Sequence, residues 1–151
     1  MSLQVWADYS AVLNESGVLS FVPNGNSMWP FIKNRSQSVI IEKVSKPLEV
    51  FDVVLFTRPD GSYILHRIIE ISQDVITVIG DSQYNSEKVN LSCVVGVMTG
   101  FYKGKTFINA NDPKYIKKVA KWYKNGFFTR LKKKFFNFRI SLKNKLKGKN
   151  K

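Results

Sequence analysis

Cysteine and histidine are almost missing from this chain. Its 151 residues hold one cysteine, Cys93, and one histidine, His66. A single thiol excludes a disulfide framework, and the two residues together are too few soft ligands for a structural zinc site. Long apolar runs are missing too, since no uninterrupted stretch approaches the ~20 residues that a membrane-spanning helix needs. The first basic side chain is Lys33, so the positively charged start of a secretory signal is not expected, and a cytoplasmic location is. Acidic side chains are absent from residues 113–151, which carry 15 basic ones, whereas residues 1–112 hold 9 basic and 11 acidic. The overall charge of +13 therefore averages a part of net −2 and an end of net +15.

What is present argues for one globular domain with an appendage. A chain of this length buries roughly 70% of its unfolded surface, enough for a core without staples. Hydrophobic residues at 44% and aromatics at 13% exclude a wholly disordered chain. The charge break divides the chain into a domain over 1–112 and a cationic segment over 113–151.

The opening VWADYSAVLNESG places Val5, Tyr9, Val12 and Leu13 on one helical face, with Gly17 as its stop. From Val18 onward the texture is that of short β-branched and aromatic runs. Strands are predicted at 18–22, 38–44, 52–58, 62–70, 75–79, 93–102 and 105–108. Pro59-Asp60-Gly61 reads as a tight hairpin turn between two of them. Many short strands without alternating helices imply a mainly β, antiparallel domain. After it, Asp112 is placed to cap a helix and Pro113 to occupy its first turn, with an end near Asn125-Gly126. A second helix, over 127–147, would align Phe128, Leu131, Phe135, Phe138, Leu142 and Leu146 along one side among Lys and Arg.

Three places in the β domain carry chemistry. Ser27 stands in a turn, Gly25-Asn26-Ser27-Met28-Trp29-Pro30, that can hold a hydroxyl clear of the ladder while backbone N–H groups converge on an oxyanion. The plain alternative is a serine that caps local backbone. His66, in Leu65-His66-Arg67, alternates with Ile64 and Ile68, a setting that equally suits a hydrogen-bonded core histidine. Asp81 follows Gly80 after a strand, and Glu87 lies six residues on. Cys93 sits in an apolar strand and reads as core.

The strings around these residues resemble the signal-peptidase-like and LexA-like serine peptidase superfamily. They are GNSMWPFI, PLEVFDVVLF, GSYILHRIIE, VIGDSQ and VVGVMTG, in order across roughly residues 18–100. They match the family's nucleophile box, its G-D-V-V-x-F strand, its Lys-Arg or His-Arg strand, its G-D segment and its closing V-x-G-x-V strand. The resemblance implies a coiled antiparallel β fold and a serine peptidase without cofactor, with His66 as general base, as in the archaeal and endoplasmic-reticulum-type signal peptidases. It implies Ser27 as nucleophile and the Ser27 N–H as part of the oxyanion hole. It also implies Asp81 as the acid that orients His66, with Glu87 where a second acid is expected. Two positions depart from the pattern. Gly25 stands where many bacterial members have an oxyanion-donating serine, and Phe51 replaces the usual glycine before Asp52, so a different turn is expected there.

With 26 residues before Ser27 and no anchor or inserted domain expected, the chain resembles a specialised maturation peptidase acting on a peptide or precursor protein. Substrate would bind as an added strand. Two other classes compete with this reading. One is a catalytically inactive peptide-binding module of the same fold; the other is a nucleic-acid binder acting through the basic segment. The Phe- and Leu-rich stripe of that segment fits an anionic membrane surface, giving a peripheral location on the inner face, or else packs on the β domain.

Overall fold

A computed structural model of the chain describes residues 8–125. Helix α1 covers Tyr9–Ser16. The Asp8 side chain caps it by accepting from the Ser10 and Ala11 amides, and Gly17, at φ 76°, ends it in the left-handed region that a Cβ disfavours. Leu13 is the buried anchor of this helix, a burial that stabilises by roughly 1.5–3 kcal/mol. Val12, expected on the same face, is exposed. At about 100° per residue, a helix that points Leu13 inward turns its neighbour Val12 about 100° away toward solvent. Val5 lies outside the described residues.

Eight strands follow: β1 Val18–Phe21, β2 Gln37–Glu42, β3 Val53–Thr57, β4 Tyr63–Ser72, β5 Val75–Ile79, β6 Glu87–Asn90, β7 Val94–Lys103 and β8 Thr106–Asn109. They form one open, antiparallel, mainly β sheet in the order β1-β2-β7-β3-β4-β5-β6, with β8 paired to β7. Seven strands coincide with predicted ones to within about two residues at each end. The unpredicted one is β6, where Val89 is the only apolar residue among Glu87, Lys88 and Asn90. Periodicity has nothing to register in so short an edge strand.

Strand β3 sits between β7 and β4, and Val53 to Phe56 are all buried, so both faces of the sheet are covered at this point. Val54, Phe56, Ile68, Ile76, Val78 and Val89 form one core cluster, with Cys93 packed against it as expected for a core thiol. The Pro59-Asp60-Gly61 turn closes the β3–β4 hairpin through Arg58 N–H donating to Ser62 O and Gly61 N–H to Arg58 O. Register shifts at Ile40/Ile41, Leu55/Phe56 and Ile68/Glu70 bend the strands locally.

Residues 113–125 are helical (α2), capped by Asp112, whose Oδ1 accepts from the Lys114 and Tyr115 amides. The compact unit built on the sheet extends through Ile116, beyond the charge break at 112, and a second unit begins at Lys117. Helix 127–147, with its stripe from Phe128 to Leu146, lies outside the described residues. Among the described residues no helix is long and apolar enough to cross a membrane.

Candidate active site

The turn that carries Ser27 is anchored by its neighbours. Met28 and Ile32 are buried, and the Met28 carbonyl accepts from the Phe31 and Ile32 amides at 3.1 and 2.9 Å. The Trp29 amide donates to Asn26 O at 3.1 Å, closing a tight turn around Ser27. Two buried apolar side chains thus fix the backbone on one side of the serine, and main-chain bonds fix it on the other.

A second loop, 80–82, clamps this turn from across the site. The Ser82 amide donates to Ser27 O at 2.8 Å, and the Ser82 hydroxyl donates to Asn26 O at 2.8 Å. Gly80 makes the approach possible, because a Cβ there would lie 2.8 Å from Ser27 O and 2.8 Å from Gln83 Oε1. Nothing in the sequence singles out Ser82. A serine in a polar loop gives no signal until its partner is known.

His66 lies on β4 with its side chain buried and its ring 6.0 Å from that of Phe56. Its Nδ1 is 3.1 Å from Glu87 Oε1. Burial pushes the imidazole below its ordinary value, Glu87 pulls it back up, and the Arg58 charge pushes it down again. The Glu87 carboxylate is held below the usual carboxylate range, first by its hydrogen bond from Arg58. An ionised acceptor at Nδ1 requires the ring to donate from that nitrogen. A neutral ring then leaves Nε2 as its proton acceptor.

Asp81, expected to orient His66, is bound by Arg67 instead. Arg67 Nε and Nη2 donate to its Oδ1 and Oδ2, each at 2.8 Å, with both side chains fully buried. The sheet register explains the exchange. His66 and Arg67 are successive residues of β4 and so face opposite sides. Arg67 pairs with Ile79, two residues before Asp81, which puts Asp81 on the arginine's side. On the histidine's side Ile68 pairs with Val78, and Val78 pairs with Glu87, which reaches the ring from the neighbouring row. Glu87, foreseen as a second acid, is the carboxylate at Nδ1.

Arg67 also donates to Phe51 O at 2.8 Å and to the Tyr115 hydroxyl at 3.0 Å, and its guanidinium lies over the Phe31 ring at 5.3 Å. One buried cation therefore joins β4, the loop after β5, the turn before β3, the serine segment and the first turn of α2. Phe51, where a different turn was expected, adopts φ 82°, a left-handed conformation that glycine takes without strain. The Arg67 bond to its carbonyl helps hold it there.

Ser27 and His66 line one cavity of about 720 Å³, together with Met28, Leu55, Arg58, Tyr63 and Gln83. An apolar wall with a hydroxyl, an imidazole and a guanidinium suits a peptide-sized ligand better than an ion. Among the described residues no group of three His, Cys, Asp or Glu side chains is placed to hold a metal. No family model matches the chain, and none of the curated proteins compared with it does.

Proposed function

We propose that the protein is a serine endopeptidase of the signal-peptidase-like and LexA-like kind, cleaving a peptide or precursor protein through an acyl-enzyme. The observation that carries this reading is that Ser27 and His66 line one cavity while Glu87 binds the far side of the imidazole. Ser27 Oγ attacks the scissile carbonyl as His66 Nε2 takes its proton. The imidazolium, stabilised by Glu87, then gives that proton to the leaving amine. Water repeats the sequence on the ester and releases the acid. The Ser27 N–H supplies part of the oxyanion hole, in a turn whose geometry Ser82 and Gly80 hold. Asp81 acts at one remove in this mechanism, by fixing Arg67 and the loop that clamps Ser27.

In the same reading the cationic segment 113–151 brings the enzyme to an anionic membrane surface from the cytoplasmic side, where exported precursors pass. A fluorophosphonate probe tests the chemistry. Wild type is expected to label at Ser27, and Ser27→Ala and His66→Ala to lose reaction on the order of 10⁶-fold while staying folded. Labelling of Ser27→Ala at the wild-type rate would sink the proposal. Absence of labelling in a folded wild type would favour the inactive peptide-binding module.

A further inference from the structure

Arg58 stands just beyond β3, opening the hairpin loop that leads into β4, and its side chain is 41% exposed. A lone ion pair at such a position contributes little, about 0–1 kcal/mol. The geometry here differs from that of a lone pair. Arg58 Nε donates to Glu87 Oε2 at 3.0 Å and Nη2 donates to Oε1 at 2.7 Å, a two-point fork that fixes the carboxylate in plane and direction. Oε1 is also the oxygen 3.1 Å from His66 Nδ1. One oxygen thus serves a guanidinium at the cavity wall and a buried imidazole. Arg58 itself lines the cavity with Ser27.

We propose that Arg58 is a positioning residue that acts on His66 through Glu87. It aims Oε1 at Nδ1, so that the neutral ring presents Nε2 as its acceptor. This inference rests on the peptidase reading for its catalytic consequence, but not for the linkage between the three side chains. The charged groups that face His66 are Glu87 from β6 and Arg58 from the end of β3, while Asp81, on Arg67's side of the sheet, acts on the ring only through its charge. Phe56 covers the ring from β3 and brings no charge. Glu87 draws the His66 titration upward and Arg58 presses it downward, so removal of either partner moves the midpoint in opposite directions.

A single histidine makes that titration directly readable. Nitrogen-15 NMR of the full-length protein reports both the midpoint and the tautomer of His66 without an assignment problem. Arg58→Gln is expected to raise the midpoint and to mix the tautomers, and Glu87→Gln to lower the midpoint. Fluorophosphonate labelling of Arg58→Gln is expected to slow by roughly tenfold to a hundredfold, a part of the 10²–10⁴ that positioned acid–base catalysis supplies. Arg58→Lys retains the charge but not the fork. It is expected to keep the midpoint near that of wild type while still labelling more slowly. A wild-type midpoint, tautomer and labelling rate in Arg58→Gln would overturn the proposal. Should Arg58→Gln fail to fold, Arg58→Lys carries the decision: slower labelling with a folded spectrum supports the proposal, and the wild-type rate overturns it. A wild type that never labels would remove the peptidase reading alone, since the His66 tautomer in Arg58→Gln, mixed or unchanged, still decides whether Arg58 acts on His66 through Glu87.

Discussion

Burial of His66 against Phe56 gives the imidazole two consequences with one origin. The folded protein disfavours the charged ring, so its titration lies below the ordinary 6.5. A base must be neutral to accept a proton, and the labelling rate is therefore expected to rise with pH along a limb below about 6.5 and to be flat above about 7. A rate still climbing between about pH 7 and 9 would point to another base. Stability follows the same sign. Between the folded and unfolded values the unfolded chain binds more protons, so the His66 contribution is complete above about 6.5 and is lost as the pH falls through the folded value. Glu87, held below its ordinary 4.5, adds stability above that value and loses it on further acidification. Urea unfolding along a pH series is expected to show the midpoint falling on the acid side.

At the level of elements, two carboxylates that look alike in sequence are set apart by the strand they leave. Asp81 follows β5 on the side of Arg67, and Glu87 opens β6 on the side of His66. Their substitutions are expected to behave in opposite ways. Asp81→Asn leaves a buried guanidinium without its countercharge and is expected to cost about 3–5 kcal/mol in unfolding free energy. Glu87→Gln alters a partly exposed pair, with an expected loss of no more than about 1 kcal/mol, while slowing the fluorophosphonate reaction at Ser27. Denaturant unfolding and probe labelling, run on both variants, check this crossed pattern. A stable Asp81→Asn that labels slowly would return Asp81 to the role expected of it from sequence.

On the scale of the whole molecule, the charge break and the structural break fall at different places. Charge changes at residue 113, but Tyr115 is buried and hydrogen-bonded to Arg67, so the first turn of α2 belongs to the sheet-built unit. A chain cut at Asp112 would lose that hydroxyl, and one ending at Asn125 keeps it. The full chain is expected to sediment with anionic liposomes and to be released only in part by high salt, because apolar burial is unscreened. At roughly 1 kcal/mol per basic residue near the surface, removal of residues 126–151, with their 10 basic side chains, should abolish sedimentation. Equal binding by both chains would dismiss that segment as the anchor. RNA binding without liposome binding would favour the nucleic-acid reading.

Patterns carried within a few residues are legible in the amino-acid sequence by itself. They include the caps at Asp112 and Gly17, the Pro59-Asp60-Gly61 hairpin, seven of the eight strands and the mainly β class. Each rests on local rules: a side chain reaching a nearby amide, a period of two, or a residue that tolerates a turn. The candidate residues Ser27, His66, Asp81 and Glu87 are legible too, but not who partners whom. That depends on the pairing of β4 with β5 and of β5 with β6, and β6 is too short and polar to be read. Arg58, Ser82 and the contact that demands Gly80 are invisible for the same reason. A guanidinium, a hydroxyl and a missing Cβ acquire meaning only when sheet register brings residues roughly 20 to 60 positions apart within hydrogen-bond reach. Sequence alternation separates His66 from Arg67 onto two faces, and only the assembled sheet assigns one carboxylate to each.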